Sequence, residues 1–142
     1  MRRSLSLGLV TLFWLVCTGC AVNSRQDEAA QIVQNYVAKV EPLTTQANRV
    51  YWDASTTGKP EKFAQLEQLQ VQARRICSDP NDFNRIKELR DSKKVRDPRL
   101  ARQLDKLYFG YLQNQIDPAL LEQIVKLDTK VQETYNNYRG TV

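Results

Sequence analysis

Residues 79–121, DPNDFNRIKELRDSKKVRDPRLARQLDKLYFGYLQNQIDPALL, contain three Asp-Pro pairs: Asp79-Pro80, Asp97-Pro98 and Asp117-Pro118. In each, the carboxylate suits an N-cap and the proline suits the first helical position, where its missing N–H costs nothing. Behind each pair the apolar residues recur at three- and four-residue steps. The first helix carries Phe83, Ile86 and Leu89, and the second Leu100, Leu104, Leu107 and Tyr111. The third carries Leu121, Ile124, Leu127 or Asp128, Val131, Tyr135 and Tyr138. Upstream, Gly58 suits a left-handed helix end and Pro60 the start of the next helix. That helix runs to about Ser78 and buries Phe63, Leu66, Leu69, Ala73 and Ile76 or Cys77. Further upstream, Val33, Tyr36, Val40, Leu43, Ala47, Val50 and Ala54 lie on one helical face. Ser24 and Asp27 suit a capping box at its start, and Pro42 predicts a kink or short break with the apolar register kept. No period-2 alternation or hairpin turn is present. The sequence predicts an all-α fold, with about five helices in an antiparallel bundle-like array after an N-terminal signal helix.

The prolines at 42, 60, 80, 98 and 118 are evenly spread. A repeat of that period would align Leu43 with Asn81 and Ala119, and Tyr36 with Arg74 and Leu112. These do not match in type, so the spacing reflects similar helix lengths and not a solenoid.

The N-terminus has the grammar of a secretory signal. Arg2 and Arg3 precede an uncharged apolar run, Leu5 to Val16, followed by Cys17-Thr18-Gly19-Cys20. The ending resembles the lipobox of bacterial lipoproteins, with Cys17 standing where Leu is usual. That resemblance implies removal of residues 1–19 and lipidation of Cys20. Residues 20–28 would then form a lipidated tether and 29–142 the helical domain. Ala21 after the cysteine favours the outer membrane, with the domain facing the periplasm of a bacterial envelope. The alternative is an uncleaved membrane helix from Leu5 to Val22, at the short edge of spanning length.

Removal of the signal leaves about 120 residues, room for one domain. Mean hydropathy is −0.54, the character of a soluble mature part. The 21 basic and 16 acidic side chains give +5, which becomes +3 once Arg2 and Arg3 are lost. The excess lies between Arg85 and Lys106. A solvated connector is the expected reading there, and a membrane-surface role ranks last. Export and the lack of interleaved aromatics argue against nucleic acid. Cys77 is the lone cysteine of the mature chain, so no internal disulfide forms. It is expected as a buried thiol, with an intermolecular bridge as the alternative.

Histidine is absent, which removes the commonest general base and the usual zinc ligand. The five glycines form no phosphate loop, and no carboxylate pair stands out. The residues therefore name no catalytic, cofactor-binding or metal-ligating group; the one site residue is Cys20, as the lipid acceptor.

Two stretches carry a family resemblance: Val40 to Gly58, VEPLTTQANRVYWDASTTG, and Asp97 to Arg139, ending VQETYNNYR. They resemble the N-terminal helical region of bacterial peptidyl-dipeptidases similar to angiotensin-converting enzyme, a zinc metallopeptidase family. The resemblance implies helices that form a lid over a channel admitting short, flexible peptides. It also implies a zinc site, H-E-x-x-H plus a downstream Glu, which has no counterpart here. The expectation is the anchor and lid region of such an enzyme, from a truncated or split frame, inactive alone. Zinc would belong only to a full-length family member. Partners would be the membrane, a separately encoded catalytic part, or short peptides. A lid parted from its body is expected to expose the faces that pack on it. Tyr108, Phe109, Tyr111, Tyr135 and Tyr138 suit either a core or a docking surface, with core preferred. Trp52 is expected to be buried between the first two helices, or to line a substrate path in the complete enzyme. The competing expectation is a self-contained envelope lipoprotein that acts as a binding or adaptor module.

Overall fold

A computed structural model describes residues 7–138, with side-chain surroundings from Ser24 onward. The signal assignment at residues 1–6, the side chain of Cys20 and the segment after Tyr138 lie outside the described residues. Five helices and no strand are present among those described. They are α1 (Leu7–Thr57), α2 (Pro60–Cys77), α3 (Pro80–Ser92), α4 (Pro98–Leu112) and α5 (Pro118–Asn137).

The caps form as their local chemistry dictates. The Asp79 carboxylate accepts from the N–H groups of Asn81 and Asp82. Asp97 accepts from Arg99 and Leu100, and Asp117 from Ala119 and Leu120. Proline follows each at the first helical position. Gly58, at φ +68°, closes α1 by donating its N–H to the Ala54 carbonyl at 2.8 Å. Only glycine takes that backbone angle without steric cost.

Two expectations about α1 are corrected. Ser24 is not a cap, because the helix runs straight through residues 20–28 from Leu7. A serine caps only where a helix begins. Of the kink or short break expected at Pro42, the break is absent because the helix continues through it, and the expected apolar register is kept. The Pro42 ring and Ala38, whose carbonyl loses its N–H partner, are both solvent-exposed, so water can satisfy the orphaned oxygen.

The long α1 is a spine with two helix pairs laid along it. In the upper half, α2 returns antiparallel from the Gly58 turn, and α5 packs antiparallel on α2. Contacts in α2–α5 order fix that direction: Arg75 with Glu122, Gln70 with Thr129, and Gly58 with Asn137. Val50, Leu66 and Leu69, with Leu43 and Ala47, form the upper core. In the lower half, α3 and α4 form a hairpin clamped on the N-terminal part of α1. Ala29, Ile86, Leu89, Leu104, Leu107 and Tyr111 are the lower core, with Tyr36 and Phe83 packed against it. Cys77 joins this lower cluster from the last turn of α2 and so links the two halves. It is Cys77, not Ile76, that takes the fully buried position.

Candidate interaction surface

α5 presents the largest departure from the sequence reading. The apolar stripe Leu121, Ile124, Leu127 or Asp128, Val131, Tyr135 and Tyr138 was expected to face the core. Leu121 is buried as expected and Ile124 half-buried, but beyond them the inward line passes through Val125 and Thr129, with Gln132 and Asn136 half-buried. The helix is turned by about one residue, roughly 100°, from the expected orientation. Leu127, Val131, Tyr135 and Tyr138 therefore point outward, Val131 at 68% exposure and Tyr135 at 82%. Leu120 lies on the same outward side.

Polar pairing with α2 accounts for the rotation. Arg75 bonds Glu122, Arg74 reaches Asp128 at 3.2 Å, and the Thr129 hydroxyl donates to Gln70 at 3.4 Å. At the far end, Asn137 Nδ2 donates to the Gly58 carbonyl at 3.2 Å. α2 offers these polar groups beside its apolar row, so α5 turns its mixed face inward. Each exposed ion pair contributes little, commonly under about 1 kcal/mol. Together with Leu121 and Val125 they fix the rotation. The outward face is left apolar and uncovered, a pattern that marks an interaction site on a small protein.

Trp52 is the second correction. It is 71% exposed and holds no pair of helices together. The neighbouring Tyr51 is also exposed. Because Gly58 meets Asn137, Trp52 and the Tyr135 end of α5 lie at the same end of the molecule. A groove of about 270 Å³ between α2 and α5 is lined by Pro60, Phe63, Leu127 and Lys130 among others. A wider depression around Pro42 is lined by α1 alone and brings no converging groups together. The aromatic residues of α4 divide as their helical positions require. Tyr111 is buried, Tyr108 stacks on Phe83 at 5.6 Å, and Phe109 is exposed.

A buried thiol and two tyrosines meet at the junction of the halves. The Cys77 thiol is buried, and burial pushes its pKa above the ordinary 9.0, opposed by a hydrogen bond from Tyr36. Burial also raises Tyr36, with the Cys77 thiolate and the shared hydrogen bond adding to it. Tyr111 is raised by burial first and then by the Asp82 carboxylate, to which its hydroxyl donates at 3.4 Å. Gln115 Nε2 donates to the Cys77 carbonyl at 3.1 Å. A thiol held neutral and covered is a packing group, not a nucleophile.

All three groups titrate higher in the folded chain than in the unfolded one. Above the unfolded value the unfolded chain releases its proton first, so stability falls with rising pH. We expect the urea midpoint to be steady to about pH 8 and to fall above about pH 9, with a smaller fall in Tyr36→Phe. A flat midpoint through the alkaline range would show that this junction is open to water.

Among the described residues, no group of three or more His, Cys, Asp or Glu side chains is placed to hold a metal ion. No helix among them is long and apolar enough to cross a membrane. Comparison with family models, curated proteins and solved structures finds no significant match.

Proposed function

We propose that this chain is the membrane-anchored, substrate-gating helical part of a zinc peptidyl-dipeptidase-like assembly, inactive alone and docked to its catalytic body through the outward face of α5. The observation that carries this reading is the apolar row Leu127, Val131 and Tyr135 turned to solvent while Leu121, Val125 and the polar Thr129 face inward. An amphipathic helix with its apolar side outward loses hydrophobic stabilisation unless something covers it. A lid without its body has that property, and Trp52 at the same end extends the uncovered surface. Lipidation at Cys20 would hold the assembly on the envelope, facing the periplasm.

Immunoprecipitation of the native chain from membrane fractions tests this, with release of C-terminal dipeptides from a short blocked peptide as the readout. We expect chelator-sensitive release in the precipitate and none from the purified chain. Val131→Asp with Tyr135→Asp should cut the co-precipitated activity at least roughly ten-fold, the loss typical of a hot-spot contact, with little change in Tm. A precipitate without such release sinks the gating reading.

The second reading, a stand-alone adaptor, is favoured by one observation. Both cores close on α1, and all three Asp-Pro caps are satisfied within the chain. Intact mass of palmitate-labelled native protein separates the two. A lipidated species near about 14 kDa plus acyl chains supports the adaptor, and one several times heavier supports the peptidase.

A further inference from the structure

The turn between α3 and α4 carries a dense run of charge, Lys93-Lys94-Val95-Arg96, with Arg99 just beyond it. It lies within the Arg85–Lys106 run expected to be a solvated connector, of which only the turn is non-helical. The fold gives it a particular address. α3 runs antiparallel to α1: Arg85 pairs with Glu28, and one turn later Glu88 pairs with Arg25 at 2.9 Å. The hairpin therefore descends α1 toward its N-terminal end. There the backbone N–H groups of Arg96 and Asp97 donate to Gln26 Oε1 at 3.0 and 3.5 Å. This pins the turn beside Gln26, six residues after Cys20 on one uninterrupted helix. Six residues of helix span about 9 Å.

The charges at this end are also unspent. Arg85, Lys87 and Arg90, higher on α3, each hold a carboxylate. Lys94, Arg96 and Arg99 hold none among the described residues, and Asp97 is occupied with capping α4. Lys93 ends α3 in the left-handed region at φ 53°, which turns the chain sharply and exposes the run.

We propose that the Lys93–Arg99 turn contacts anionic phospholipid and lays the lower end of the molecule on the bilayer to which Cys20 is anchored. The inference rests on that anchoring, and it supplies what the anchor lacks. Acyl chains hold one point and leave a rod free to tilt. A cationic turn about 9 Å further on lies within roughly one Debye length of the headgroups at physiological salt, so it is attracted there. Two contacts fix the direction in which α1 projects. Its other end, with Trp52 and the α5 face, then stands about 45 Å out from the membrane.

The test uses the full native chain purified from membrane fractions, on vesicles of phosphatidylcholine alone or with about one-third phosphatidylglycerol. Limited trypsinolysis reads the exposure of Lys93, Lys94 and Arg96, and cleavage at the distal, exposed Lys130 on α5 is the internal control. We expect cleavage at the turn to slow about ten-fold on anionic vesicles and to recover in about 1 M NaCl, with Lys130 unaffected. The triple variant K94E/R96E/R99E should be cleaved equally at the remaining Lys93 on both membranes. Equal cleavage of the wild type on both, with the chain bound to both, overturns the proposal. Flotation separates this from the anchor. Binding only to anionic vesicles, lost in the triple variant, keeps the lipid contact and overturns anchoring; binding to neither overturns both.

Discussion

Ile86→Ala is expected to lower the stability of the folded chain by about 3 kcal/mol and its Tm by roughly 10 °C. Ile86 is 0% exposed and sits among Ala29, Leu89, Leu104 and Leu107, where α3, α4 and the lower part of α1 meet. Removing three carbons from such a site costs their transfer energy and also leaves a cavity that close-packed helices do not refill. Net stabilities of small domains are about 5–15 kcal/mol, so the loss is a large fraction of the whole. Val131→Ala is the matched control. The apolar stripe of α5 put Val131 on the buried side, where truncation would cost roughly 2 kcal/mol. The fold puts it in solvent, and a change within about 0.5 kcal/mol is expected. Thermal melts followed by circular dichroism read both. A similar loss in the two variants would mean that α5 is turned the other way.

Phe63→Ala is the second large effect, about 3–4 kcal/mol, and it should be local. Phe63 is buried on α2, one turn from Leu66, and lines the groove toward α5. The lower core contains neither Phe63 nor any residue of α5. The halves are joined by α1 and by Cys77 with its bond from Gln115. Local openings draw on the energy of the contacts they break. Hydrogen exchange should therefore accelerate in residues 60–77 and 118–137, while residues 80–112 keep most of their protection. Equal acceleration everywhere would show that α1 couples the halves into one cooperative unit.

The spread of legible and illegible features follows the range of the forces involved. The α1 face from Val33 to Ala54 is inward throughout, as its spacing requires, because one helix against a layer buries whatever side is most apolar. The same rule misplaces Val131 and Tyr135. α5 packs mainly on α2, with a smaller contact to α1, and Gln70, Arg74 and Arg75 compete with apolar contact for its orientation. Trp52 was misplaced for a related reason. It stands two residues from both Val50 and Ala54, on the opposite side of the helix from that row, where the described fold places no neighbour.

By itself the sequence determined the helical class, the three Asp-Pro starts, the Gly58 stop and the burial of Cys77. These depend on a carboxylate, a fixed φ, a missing Cβ or a local apolar period, all within a turn or two of chain. Only the tertiary structure decided the rotation of α5, the continuity of α1 through Ser24 and Pro42, and the place of the basic turn beside Gln26. Each of these rests on groups far apart in sequence satisfying one another's polar atoms, such as Arg96 and Gln26 or Arg75 and Glu122. No local pattern encodes those pairings.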